Sequence, residues 1–259
     1  MFPFAIFSQS AADKKVQAGL TFNAGANFLS PSSTRIDANG AGSVLSIGLN
    51  LHAALKSSQN LAIASGLEFD FGKNKYKFSD VAYADFYDGV YLTSGEAAEM
   101  DASSYSTYIV SNRTVSTTKL TVPLMLLFRT NFIGDFRYFG KFGIRNTFLL
   151  DHSVEDQGSE IGAIVIEDNL LMRSPGEMFL YNGSIGLSAG AEWNFVGSTC
   201  LVLEAGYFYG ITPFFLDRSK RNNQTMYTTS GNLIQPAEKN YFSAAARQNQ
   251  LIFKLSILF

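Results

Sequence analysis

Apolar and polar side chains alternate without a break along residues 16–28. Val16, Ala18, Leu20, Phe22, Ala24, Ala26 and Phe28 interleave with Gln17, Gly19, Thr21, Asn23, Gly25 and Asn27. A period of two sends neighbouring side chains to opposite faces of a β-strand, here one apolar and one small and polar. The same alternation returns in residues 45–56, 61–72, 119–129, 138–150, 179–195, 201–210 and 250–259. These segments predict eight strands, each with at least the roughly 9–11 residues that cross a bilayer at a tilt. The fourth is the least regular. Met125 and Leu127 stand on its polar face, and Pro123 lacks a ladder donor, which predicts a bulge or kink. The polar stretch 106–118 extends this strand beyond the membrane.

The connections carry separate information. Three are short, around residues 57–60, 130–135 and 196–199. Four are long, about 30–43, 79–105, 151–178 and 217–245, and are rich in Ser, Asp, Asn and Gly. Long and short connections alternate strictly. Short turns on one rim and long loops on the other describe a transmembrane barrel of the outer-membrane type, with an even strand number that puts both ends on one side. The expected architecture is all-β: an eight-stranded antiparallel up-and-down transmembrane β-barrel, with short periplasmic turns, long extracellular loops and both termini periplasmic.

Alternation alone does not say which face is inside, since a soluble ligand-binding barrel turns its apolar face inward. Three features favour the inverted arrangement. The polar face is rich in Gly, Ser and Asn, which fill the narrow interior of eight strands. Aromatics gather at both ends of the apolar face. One group is Phe128, Tyr138, Phe142, Trp193, Phe195 and Phe259; the other is Phe28, Phe69, Phe71, Phe148, Phe179, Tyr181, Tyr207 and Tyr209. Two aromatic girdles suit two membrane interfaces. Finally, Phe259 ends the chain on the apolar face of an alternating strand. The polar face also carries Glu68, Asp70, Glu192 and Glu204 with Lys119, Arg129, Lys141, Arg145 and Lys254. In a lumen these charges must pair, because an isolated buried charge is prohibitive. The lumen is therefore expected to be plugged.

Composition agrees. Charged residues are 16% of the chain, against about 25% in soluble domains. No apolar run approaches the roughly 18 residues of a membrane-spanning helix, so a membrane protein of this sequence has to be a barrel. A net charge of −2 argues against a nucleic-acid partner. The single cysteine, Cys200, excludes an internal disulfide and a cysteine-cluster zinc site. Residues 1–10 resemble the end of a secretory signal without its basic part, or an ordinary disordered terminus; residues 11–259 form one barrel domain.

Residues 119–129, KLTVPLMLLFR, resemble a strand of the PorT-like outer-membrane β-barrel proteins of the Bacteroidota. Residues 137–150, 182–195, 206–215 and 250–259 resemble the strands that follow, so the likeness runs over roughly residues 16–259. Thr121 stands in place of the family's acidic residue, and Val122-Pro123 in place of its Ile-Pro. The resemblance implies a bacterial outer-membrane location and a small barrel. Some relatives belong to the type IX secretion and gliding apparatus, and most have no assigned activity.

Barrel enzymes use a His beside a Ser or Asp near the outer rim. Of the two histidines, His52 lies at the short-turn end, whereas Asp151-His152-Ser153 lies where the fifth strand meets a long loop. Neighbours in a strand face opposite ways, so His152 and Ser153 form no dyad while the strand persists. The acidic residues Asp85, Asp88, Glu96, Glu99 and Asp101 fit no calcium-loop spacing. The chain is thus expected to be a non-enzymatic outer-membrane barrel without metal or cofactor. It would be a structural element or a subunit of a cell-envelope complex. Its expected partners are membrane lipid, lipopolysaccharide and other envelope proteins. The alternatives are a small-solute pore or a lipid-modifying or proteolytic barrel enzyme.

Overall fold

The alternating segments do form strands, and each pairs with its neighbour in sequence. The computed structural model describes residues 15–31, 36–38, 40–55, 60–79, 82–84, 90–92, 107–160, 167–170, 178–196, 199–215, 226–227, 233–234 and 246–259. The long strands are β1 (Val16–Pro31), β2 (Gly42–Ala54), β3 (Leu61–Phe78), β4 (Thr107–Arg129), β5 (Phe136–Glu160), β6 (Tyr181–Val196), β7 (Thr199–Gly210) and β8 (Ala246–Leu258). All pairings are antiparallel, and β8 returns to β1 from Gly19↔Leu258 to Pro31↔Ala246. The sheet therefore closes on itself, and the long strands leave no open edge at membrane depth, as a span in lipid requires.

The faces fall as the alternation requires. Leu20, Phe22, Leu45, Ile47, Leu49, Leu187, Leu203 and Phe253 point outward and are more than half exposed, whereas Thr21, Asn23, Ser46, Asn50, Ser188 and Ser256 are buried inside. Val16 to Phe28 rises about 40 Å along the strand, or about 30 Å at a tilt of roughly 40°, which matches the thickness of a bilayer core. Both girdles face outward: Phe128, Tyr138, Trp193, Phe195 and Phe259 at one end, and Phe28, Phe69, Phe71, Phe148, Tyr207 and Tyr209 at the other.

Local irregularities shape the wall. Pro123 interrupts the β3–β4 ladder, whose partners stop at Ser65↔Leu124 and resume at Glu68↔Thr121. The register on either side is the same, so of the expected bulge or kink no bulge forms, and the proline leaves a gap in the ladder. The Ser65 hydroxyl donates to the carbonyl of Pro123 at 2.9 Å across the gap. A bulge does occur in β5, where Thr118 and Lys119 face Asp151 and Leu149 and leave Leu150 between them. The tight turn between β4 and β5 places Gly134 at a φ of 62°, a left-handed conformation that glycine adopts at little cost.

Strands β4 and β5 run far past the girdle and stay paired up to Tyr108↔Glu160. Residues 151–160, expected in a loop, are therefore strand. Above the membrane the inward face changes character. Leu29, Ile36, Tyr76, Val115, Met178, Phe214, Phe215 and Ala246 form an apolar cluster at the long-loop end of the barrel interior. Outside the bilayer, burial against water again favours apolar side chains inside.

Candidate functional site

Among the described residues, polar and charged side chains converge in the interior of the barrel, in three layers. At the short-turn mouth Glu192 accepts from Arg137, and Arg129 Nε lies 3.0 Å from its other oxygen. The Gln17 carbonyl oxygen accepts from both guanidinium groups, at 3.1 Å and 3.2 Å. Arg129 also donates to His52 Nδ1 at 2.6 Å. That bond makes Nδ1 the acceptor nitrogen, so the ring proton of His52 sits on Nε2. Cys200 is buried in this layer, 4.0 Å from the Gln17 amide nitrogen.

The middle layer is a chain of alternating charge. Lys141 donates to Glu204 at 2.6 Å, and Ser188 donates to the other Glu204 oxygen at 2.7 Å. Lys254 meets Glu68 at 2.5 Å, and Arg145 bridges Glu68 at 2.9 Å and Asp70 at 3.3 Å. Thr121 donates to Asp70 at 2.6 Å. The Arg145 guanidinium lies 5.1 Å over the Phe208 ring. Glycine makes room for that ring: a Cβ on Gly186 would stand 2.4 Å from it and one on Gly206 3.0 Å. An apolar patch that includes Met125, Leu127, Val202, Ile252 and Leu258 fills the rest of the inner wall.

Toward the long loops, Lys119 donates to Gln248 at 2.9 Å and sits 4.4 Å over the Phe214 ring. A cavity of about 20 Å³, lined by Lys119, Thr147, Ser184, Gln248 and Gln250 among others, lies beside it, with room for about one water molecule. Arg113 and Asp156 form a two-pronged buried pair at 2.6 Å and 2.8 Å. Phe215 packs edge-on against both Phe214 and Tyr76. Residues 211–215 continue the wall, bridged to Met178 and to Arg247, and the Phe214 and Phe215 rings reach inward across the long-loop end.

The expected pairing of lumenal charges is present for Glu68, Asp70, Glu192 and Glu204 with Arg129, Lys141, Arg145 and Lys254. Lys119 departs from it, with an amide oxygen and a ring as its partners. Arg137, Arg113 and Asp156 join the lumen outside the strand segments that the alternation predicts. Arg137 stands directly after a turn, and the other two lie in stretches whose alternation is polar on both faces. Asp151, His152 and Ser153 lie within β5, where they pair with Thr118, Thr117 and Ser116. Asp151 and Ser153 face out, and His152 is half-buried on the other side, so the three do not converge. Asp85, Asp88, Glu96, Glu99 and Asp101 lie outside the described residues. Among the described residues no three His, Cys, Asp or Glu side chains gather as a metal set would.

No curated relative matches the chain in sequence. Among solved structures it is similar to the outer membrane protein OprG from Pseudomonas aeruginosa, at 9% identity over 94% of this chain and 93% of that one, with a TM-score of 0.45. It is also similar to Ail, the attachment invasion locus protein of Yersinia pestis, crystallised with the heparin analogue sucrose octasulfate (8% identity, 95% and 100% covered, TM-score 0.38). A third is a major outer membrane protein from Thermus thermophilus (17% identity, 93% and 99% covered, TM-score 0.35). The model of the outer membrane protein beta-barrel domain matches residues 7–216. That match covers most of the chain, and the chain belongs to the outer membrane β-barrel domain family.

Proposed function

We propose that this outer-membrane barrel is a closed, non-enzymatic wall element that works through its long loops and outer surface, as a structural protein or as a subunit of an envelope complex. One observation carries the reading: among the described residues each layer of the lumen is filled by side chains that bond or pack inside it, from Glu192 with its two arginines to the inward rings of Phe214 and Phe215. Leaving one partner of such a buried pair without the other costs about 3–5 kcal/mol, which favours a network that stays closed. The long β4–β5 extension supplies surface outside the bilayer. Short turns facing the periplasm and long loops facing outward are the arrangement that such barrels adopt. The likeness of residues 119–129 to PorT-like strands favours a partner in the secretion or gliding machinery of the Bacteroidota.

The test has two parts. Reconstituted into planar bilayers, the protein is expected to give no single-channel steps; regular conductance would turn the reading into a small-solute pore. Extracted from native membranes in mild detergent, it is expected to emerge with other envelope proteins, and consistent isolation alone would remove the subunit version.

A further inference from the structure

We propose that the outer face of β3, just above the aromatic girdle, is a binding site for lipid headgroups that carry more than one phosphate, with Lys73, Lys75 and Lys77 as the ligating side chains. The outward positions of β3 read Leu67, Phe69, Phe71, Lys73, Lys75 and Lys77. Side chains two apart share a face, so the three ammonium groups form a ladder directly over three lipid-facing apolar residues. Leu67, Phe69 and Phe71 are exposed on the barrel wall. The switch from aromatic to cationic falls within one step, and it marks where hydrocarbon gives way to headgroups.

The lysines are not spent on the protein. All three are exposed, and no ion pair joins them to another described residue. Their partners on β4 are Ser116, Thr114 and Asn112, polar side chains that can add hydrogen bonds to a phosphate. On the other side Ser43 faces Lys73, and Asp37 faces Lys77. Among the described residues, the nearest further acids on this wall are Asp151 and Glu155 of β5, one strand beyond Thr118 and Thr114. The patch is therefore locally basic in a chain whose net charge is −2.

Height selects the ligand. Successive lysines rise by about 7 Å along the strand, or about 5 Å along the membrane normal at a tilt of roughly 40°. The headgroup zone of a phospholipid leaflet is only about 5–8 Å deep. Lys73 and Lys75 reach into that zone, helped by flexible stems that bend toward the interface. Lys77 stands above it. One phospholipid phosphate cannot engage all three, whereas a sugar-sized headgroup with phosphates at two heights can. Each lysine near a charged surface contributes about fivefold in affinity. The inference rests on the membrane-spanning wall and not on a sealed lumen, so conductance and lipid binding can fail independently.

The full chain in phosphatidylcholine nanodiscs is titrated with a diphosphorylated diglucosamine lipid, with phosphatidylglycerol and with inorganic phosphate, at low and high salt. Wild type is expected to bind the diphosphorylated lipid most tightly, with affinity falling as salt rises. K73Q/K75Q/K77Q is expected to bind it at least about tenfold more weakly, and K73R/K75R/K77R to keep most of the affinity. Circular dichroism checks that each variant is folded, and the double variant K73Q/K75Q serves if the triple is not. Equal binding by the folded glutamine variants would overturn the proposal. So would competition by inorganic phosphate at the lipid's own concentration, which would make the site one for a soluble anion.

Discussion

Glu192 is held between Arg129 and Arg137 and has no exposed surface. Its replacement by Ala leaves two buried guanidinium groups without a counter-charge. E192A is expected to lose about 3–5 kcal/mol of stability, measured by urea unfolding in detergent micelles. The outer wall follows the opposite rule. Ile47 faces out near mid-height, in register with Phe22 of β1. I47R is expected to cost about 2–4 kcal/mol in a bilayer, because an arginine at the midplane meets hydrocarbon. A barrel with the reverse polarity would reverse these two results. Most lumenal charges are legible as breaks in the polar face of a strand. Arg137 falls in step with Lys141 and Arg145, but the predicted strand starts at Tyr138 and stops one residue short of it.

Among the strands, β5 shows how a local device protects a distant contact. The extra residue Leu150 shifts the phase, so that Leu149 faces in, Leu150 and Asp151 both face out, and the inward positions resume at His152. Asp156 then meets Arg113 inside the barrel. Deletion of Leu150 removes the bulge but leaves every later residue of β5 on its present face. The deleted chain is therefore expected to fold, with stability within about 1 kcal/mol of wild type by the same unfolding measurement. Loss of the Arg113–Asp156 pair, read as R113A no longer destabilising in that background, would overturn this account of the phase. The extension of β4 through residues 107–118 follows from its polar pattern. The matching extension of β5 does not, because residues 151–160 have the composition of a loop and gain their strand geometry from pairing with β4.

For the whole molecule, the apolar band around the outside and the polar fill inside set the conditions of folding. Diluted from urea into buffer alone, the chain is expected to precipitate. Diluted into detergent or lipid vesicles, it is expected to gain β-structure by circular dichroism, since only an amphiphile can cover the band. A soluble, monodisperse product in water would contradict the transmembrane fold. The layered lumen has a further consequence. R129S/E192S clears much of the short-turn mouth, but the Arg145–Glu68–Lys254 layer still crosses the interior behind it. That variant is expected to stay silent in planar bilayers, and conductance from it would show that the middle layer does not seal.

The eight strands, their two faces, the alternation of short and long connections and the membrane location were set by the sequence itself, because a period of two acts over a few residues and needs no partner. The lumenal partnerships needed the closed barrel. Gln17, Arg129, Arg137 and Glu192 come from four strands and are brought to one level only by the register and tilt of the sheet. The inward packing of Phe214 and Phe215 needed it as well, since they read as two more apolar residues until the apolar cluster at the long-loop mouth gives them somewhere to pack. Local pattern decides which way a side chain points. Only closure decides which side chain it meets there.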